Sequence, residues 1–307
     1  MWLAGLLWLA AAGQYDLSGR IIPEYRASVS LQGATTPFTD QTLTDHRGRF
    51  RFRKLEPGTY TVSVFVPGRG EVRQTIEIGP SLADSKRRVQ VTFEIPDSKF
   101  EQDTAHRGHV VSARQLSIPP KAIREYEEAQ KQLGRRDVDG AVEHLRKAVE
   151  LAPEYTSAWN NLGTIAYQTR QYAQAKEYFR KALDAEPGAF EPLVNLGGVL
   201  VTVGKAQDAL PYNQHAVLAR PRDALANSQL GMNYFQLGKL DLARKYLTVA
   251  KQIDPAHFSH PQLLLAEIAA RSGDRPGAAV ELEDLLRRHP DAPDAPHWKA
   301  AIEKLRQ

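Results

Sequence analysis

The residues in this chain whose types and spacing could do chemistry are few, and two histidine pairs come first. His106 with His109, and His257 with His260, are each three residues apart, a spacing that could supply half of a metal site. Both pairs fall in polar connecting stretches with no carboxylate at ligand spacing, so no metal or other cofactor is expected. The chain has no H-E-x-x-H, no G-x-S-x-G and no G-x-x-x-x-G-K-[ST]. Gly198 to Gly204-Lys205 has the wrong spacing for a phosphate loop and lacks the hydroxyl residue. With no cysteine among 307 residues, thiol nucleophiles, thiolate metal sites, disulfides and an acylated lipoprotein cysteine are all excluded. The expectation is a protein that is not an enzyme.

Two basic features remain. Arg47, Arg49, Arg51 and Arg53 alternate with Phe50 and Phe52, so Arg49, Arg51 and Arg53 share the face of a strand opposite its core. That face is either simply solvated or a stripe able to touch a polyanionic polysaccharide, since guanidinium groups on alternate strand positions stand about 7 Å apart. Lys86-Arg87-Arg88 has no aromatic neighbours on which bases could stack and reads as a solvated turn. Overall, 40 basic and 36 acidic residues leave a formal charge of +4. That near balance gives no broad electrostatic footprint for nucleic acid.

The elements that would position these residues divide the chain in four. Residues 1–12, MWLAGLLWLAAA, are apolar and uncharged, too short to cross about 30 Å of hydrocarbon, and end in an A-x-A pattern. A signal peptide is expected there, and with it an exported, periplasmic or envelope-associated protein; without cleavage or export the protein would be cytoplasmic. No later stretch is long and apolar enough for a membrane span. Residues 13–96 carry short alternating segments at Ala27–Gln32, Gln41–Thr44, Arg49–Phe52, Tyr60–Val66, Val72–Ile78 and Val89–Ile95. Gly33, Asp45 to Gly48, Pro57-Gly58, Pro67-Gly68 and Gly79-Pro80 separate them. About seven short strands with no helical period predict an antiparallel β-sandwich. Within it, Asp45-His46-Arg47-Gly48-Arg49-Phe50-Arg51-Phe52-Arg53-Lys54-Leu55-Glu56-Pro57-Gly58-Thr59-Tyr60 resembles the D-x-x-G-x-F-x-F-x-x-L-x-P-G-x-Y signature of carboxypeptidase-regulatory-like domains. These are transthyretin-like sandwiches, and the resemblance implies a rigid accessory or binding module without catalytic residues.

Residues 97–121 read as a linker that ends at Pro119-Pro120, with Val110, Val111, Leu116 and Ile118 available to add a strand or cover one end of the helical region. From Ala122 to the C-terminus (122–307) the period is helical and repeats itself. Pro153, Pro187, Pro221 and Pro255 are spaced by 34, and Pro290 comes after a further 35. Ala141, Ala175, Ala209 and Ala243 keep the same interval, as do Ala148, Ala182, Ala216 and Ala250, and so do Leu162-Gly163, Leu196-Gly197 and Leu230-Gly231. The pattern Trp159-Asn160-Asn161-Leu162-Gly163, Tyr172, Ala175, Phe179, Ala182 and Pro187 is similar to the tetratricopeptide repeat. The resemblance implies an all-α solenoid of about five helix pairs, with atypical first and last units and a capping helix over Ala295–Leu305.

It also implies a binding groove along the first helix of each pair. The positions carried over are Tyr126, Asn160, Thr164, Tyr167, Gln168, Val194, Gly198, Val201, Thr202, Ser228, Met232, Phe235 and Gln236. The Asn and Lys or Arg residues that clamp a terminal carboxylate in one subfamily are absent from these rows. An apolar, amide-lined groove remains, one that fits an extended or helical segment held by shape and backbone hydrogen bonds. The same valines and phenylalanine could equally pack between helices. The reading is a non-enzymatic scaffold whose groove takes a protein or peptide partner of the envelope. Its rivals are a surface or polysaccharide adhesion protein acting through the sandwich, and an accessory subunit of an envelope enzyme or secretion complex.

Overall fold

The computed structural model describes residues 13–96, 100 and 117–307. The expected signal peptide at 1–12, His106, His109, Val110, Val111 and Leu116 lie outside the described residues.

Seven strands form two sheets: β1 (Tyr15–Ile22), β2 (Ser28–Gly33), β3 (Thr39–Leu43), β4 (Arg49–Leu55), β5 (Gly58–Val66), β6 (Gly70–Ile78) and β7 (Arg88–Glu94). One sheet has the order β4-β1-β7 and the other β3-β2-β5-β6. Every pairing is antiparallel except β1 with β7, which runs parallel from Asp16 opposite Arg88 to Ile22 opposite Glu94. Alternation places Leu17, Ile21, Val29, Leu31, Phe50, Phe52, Tyr60, Val62 and Val64 between the sheets, all buried. Phe50 and Phe52 meet edge to face at 6.0 Å, and Gly19 leaves room for the Phe50 ring, which a Cβ there would strike. The turn before β4 is held by Asp45, whose carboxylate accepts the backbone N–H of Arg47 and Arg49 at 2.8 and 3.0 Å. The Arg49 N–H and guanidinium together hold that carboxyl down at about 2. Gly48 closes the turn at φ +66°, a conformation that side chains disfavour. The buried Tyr60 hydroxyl donates to the Glu56 carbonyl at 2.8 Å, pinning the Pro57-Gly58 reversal. Tyr60→Phe is expected to lower the urea midpoint of the sandwich by the equivalent of about 1 kcal/mol. An unchanged midpoint would show the bond to be idle.

Eleven helices complete the described chain: α1 (Pro120–Gly134), α2 (Val138–Leu151), α3 (Thr156–Gln168), α4 (Tyr172–Ala185), α5 (Phe190–Thr202), α6 (Ala206–Ala219), α7 (Ala224–Gln236), α8 (Leu240–Ile253), α9 (Pro261–Arg271), α10 (Arg275–Arg288) and α11 (Ala295–Arg306). They pack as five antiparallel pairs with α11 capping the last. The sequence ladders sit where each pair is tightest. A Cβ on Gly163 would come within 2.5 Å of the Phe179 ring, and one on Gly231 within 2.7 Å of Leu247. Ala141, Ala175, Ala209, Ala243 and Ala278 are fully buried on the facing helices. The ladder prolines come just after the helix ends, where a missing N–H costs nothing. Trp298 and Ile302 of α11 bury the outer face of the last pair against Leu285 and Leu282.

Candidate functional site

The residues expected to line the groove occupy the first helices of the pairs, and most of their polar groups are spent on the neighbouring repeat. Asn161 donates to the Tyr126 hydroxyl at 3.1 Å, and Asn195 donates to Asn160 Oδ1 at 3.0 Å. The hydroxyls of Tyr167 and Thr202 lie 3.1 Å apart, while Gln236 donates to the Val201 carbonyl at 3.0 Å. Each link spans one repeat and ties successive first helices into a continuous wall. Thr164 is half-buried and donates to its own helix at the Asn160 carbonyl.

Val194 and Val201 are buried. Val194 packs with Phe190, Ala216 and Ala226, and Val201 packs with Ala166, Leu196, Val199 and Leu200. Gly198 and Ser228 are also buried, Ser228 with its hydroxyl 2.6 Å from that of Ser259. Met232 and Phe235 are half-buried, and the Arg271 guanidinium stands 4.9 Å over the Phe235 ring. The wall therefore offers Tyr126, Asn160, Thr164, Tyr167, Met232, Phe235 and Gln236 in part, while the valines serve helix packing.

Gln168 does something the sequence does not announce: its side chain donates to the Gly33 carbonyl of β2 at 3.0 Å. The sandwich is seated on the array. Beside that contact, Arg136, just past α1, pairs with Glu56 at 3.2 Å and lies 4.8 Å over the Phe38 ring. Further along, Arg73, Thr75 and Glu77 of β6, and Ser81 beyond it, meet the array. Arg73 is 3.4 Å from Glu191 at the start of α5. The Thr75 N–H donates to Asp254 Oδ2 at 2.9 Å. Glu77 Oε2 lies 3.0 Å from His289 Nδ1. Ser81 donates from its N–H and hydroxyl to Asp291, at 2.9 and 2.6 Å. Burial pushes Glu191 up, but the Arg220 and Arg73 guanidiniums outweigh it and hold the carboxyl below its ordinary range. Burial pushes Asp254 up despite the Thr75 hydrogen bond.

Sequence reasoning passed over Glu191, Asp254, His289 and Asp291. One signal was present. Arg220, Asp254 and His289 each precede a ladder proline, a row that turns polar or charged in the later repeats. His257 and His260 belong to the connection before α9. His257 Nδ1 is 2.6 Å from the Ser259 hydroxyl, and the His260 ring lies 4.5 Å from that of His289. Among the described residues no group of three or more His, Asp or Glu stands where it could hold a metal.

The arginine stripe is largely paired within the sandwich: Arg49 with Asp45 at 2.8 Å and Arg51 with Asp16 at 2.5 Å. Lys86 and Arg87 stand in the turn before β7, and Arg88 pairs with Asp84. No described helix is long and apolar enough to cross a membrane.

Residues 15–94 match the carboxypeptidase regulatory-like domain, and residues 126–190 and 194–257 match the tetratricopeptide repeat. Among curated proteins, the cellulose synthase 2 operon protein C of Komagataeibacter xylinus is 25% identical over 64% of this chain and 19% of its own length. The type IV pilus assembly protein PilF of Pseudomonas aeruginosa is 29% identical over 51% of this chain and 62% of its own. This chain thus spans about a fifth of the first and less than two thirds of the second. Among solved structures, PilW, a type IV pilus biogenesis factor, superposes with a TM-score of 0.55 at 21% identity, over 61% of this chain and 86% of that one. Likeness at that identity establishes the fold of the array. Two domain families, each matched over its own stretch and each seen in the strands and helices above, make this chain a tetratricopeptide repeat protein with a carboxypeptidase regulatory-like domain ahead of its repeats.

Proposed function

We propose that this chain is a non-enzymatic scaffold of the cell envelope that holds one protein partner on its helical array. The observation that carries the reading is the wall of first helices. Side chains from α1, α3, α5 and α7 are bonded repeat to repeat, so the surface they present is pre-organised over most of the array's length. Tetratricopeptide arrays are protein-interaction scaffolds, and two relatives carry names tied to pilus assembly and to cellulose synthesis. Both are activities of the bacterial envelope, which supports export as the reading of residues 1–12. Partners of such arrays are held by hydrogen bonds and shape, with Kd around micromolar for one peptide-sized segment.

The test places a photo-crosslinking amino acid at Gln236, exposed on the wall, in the full-length protein in cells. One stoichiometric adduct in the envelope fraction is expected. Tyr167→Ala should reduce its yield roughly tenfold, about 1.4 kcal/mol, with the circular dichroism spectrum of the folded array retained at growth temperature. A protein recovered intact from the envelope without any adduct overturns the reading, and recovery of unprocessed chain from the cytoplasm overturns the location.

A further inference from the structure

The contact between sandwich and array has an unusual composition. It reaches from Arg136 after the first helix to Asp291 before the last, and it touches a helix-pair junction or helix end in nearly every repeat. Yet among the described residues no hydrophobic cluster joins the two parts. The sandwich core runs from Tyr15 to Phe100, and the array clusters begin at Ile118. What faces the array is the outer, polar side of the β3-β2-β5-β6 sheet, with Ser63, Thr75 and Glu77 buried there. Several of these buried polar atoms have no hydrogen-bonding protein partner: Thr75 Oγ1, Asp254 Oδ1 and His289 Nε2. A polar interface, part buried and part exposed, with incomplete pairing and no shared apolar core binds weakly for its extent. It holds because the two parts share one chain, which makes the contact intramolecular.

Along β6 and its extension most contacts run one way. The array contributes the acceptors Glu191, Asp254 and Asp291, and the sandwich contributes the Arg73 guanidinium and Thr75 N–H of β6 and the Ser81 N–H and hydroxyl just beyond it. Glu77, opposite His289, is the exception on this strand, and Gln168 and Arg136 donate the other way farther from β6. β6 is the edge strand of its sheet, so the Thr75 N–H points away from β5 and is free to donate outward.

We infer that the acidic helix-pair junctions of the array are a receptor for a donor-rich edge strand, filled in the resting chain by its own β6. The outside ligand is the edge strand of another protein, one presenting a basic side chain, free backbone N–H groups and hydroxyls at alternate positions. Its binding and the docking of the sandwich exclude each other. This goes beyond the scaffold reading, since the surface is the row of helix-pair junctions at Glu191, Asp254 and Asp291 rather than the wall at Tyr167 and Gln236.

The chain has no native cysteine, so Ser81→Cys with Asp291→Cys gives a single disulfide that locks the docked state. Arg73→Glu with Glu77→Lys opposes Glu191 and His289 with like charge or bulk. It alters only the outer face of β6, away from the sandwich core. Small-angle scattering should show the charge-reversed chain expanded relative to the oxidised double-cysteine chain, with unchanged circular dichroism. Carbodiimide labelling of Glu191, Asp254 and Asp291 should rise several-fold in the expanded chain. A free peptide of residues 70–81 should restore protection, and a scrambled one should not. A charge-reversed chain as compact and as unreactive as the locked one overturns the inference, as does a peptide 70–81 that leaves the labelling unchanged. The readouts use this chain alone, so their failure is distinct from the absence of an envelope partner.

Discussion

Gly197→Leu should destabilise the array by about 2–6 kcal/mol, the largest effect expected of any single substitution on the first helices. Gly197 lies in α5 against α6, and a Cβ there would meet the Asn213 side-chain amide. Asn213 is fully buried. Its Nδ2 donates to Asn233 Oδ1 at 3.2 Å, and Asn233 in turn donates to the Ala206 carbonyl at 2.6 Å. A leucine must therefore push a buried amide out of a bonded chain that links the third and fourth helix pairs. Overpacking costs about 1–3 kcal/mol, and orphaning a buried polar group adds about 1–3. Each helix pair is stable only through its neighbours, so the loss is shared along the array. For a unit of this size that is roughly 5–15 °C in the melting temperature. Gly188→Ala is the control, since a Cβ at Gly188 meets nothing within 4 Å. It should be neutral or slightly stabilising through the unfolded chain. Equal melts for Gly197→Leu and the parent would mean that α5 and α6 do not approach as described.

That prediction was legible in the sequence, because a repeat writes the same contact several times. One Leu-Gly is unremarkable; three in phase with prolines and alanines mark a position where something large comes close. The sandwich was legible for a different reason. Phe50, Phe52, Tyr60, Val62 and Val64 alternate in strict period two, and the turn residues between them leave little freedom. The first strand was not among the segments read from alternation. Tyr15, Leu17, Gly19 and Ile21 alternate, but the small residue at Gly19 breaks the pattern, and its reason is the Phe50 ring across the sheet. The parallel pairing of β1 with β7 was not legible either, since its partners are over seventy residues apart. Groove and core residues on the first helices share one periodicity. Only packing separates Val194 and Val201, which are buried, from Tyr167 and Gln236, which are not. The seating of the sandwich was least legible of all. It rests on single polar pairs between residues 80 to 212 positions apart, and each such residue, taken alone, reads as ordinary surface.

Acid should destabilise this protein well above the range in which its carboxylates titrate, and two histidines carry the effect. His257 is buried in the connection before α9; its burial, with His260 and His289 beside it, pushes its pKa down to about 3. Burial and the neighbouring His289 push His260 down to about 4, against the opposing pull of Asp294. Both are neutral in the fold, whereas in the unfolded chain they take up protons near 6.5. Below that pH the unfolded state binds more protons than the native one, so stability falls as pH falls. The contribution is whole above about pH 6.5 and is lost progressively down to pH 3–4. Asp254 moves the other way: burial raises it, so it opposes part of this loss. At ~1.4 kcal/mol per pH unit for each proton, the loss between pH 7 and pH 5 is about 2–4 kcal/mol. Thermal melts at pH 7, 6 and 5 read it directly. His257→Asn keeps a side-chain group near the Ser259 hydroxyl, as Nδ1 is now, but cannot take the proton. It should cut the pH slope by about half while lowering stability at pH 7 only modestly. A melting temperature constant from pH 7 to pH 5, or the same slope in His257→Asn, would mean that these rings already carry their protons in the fold.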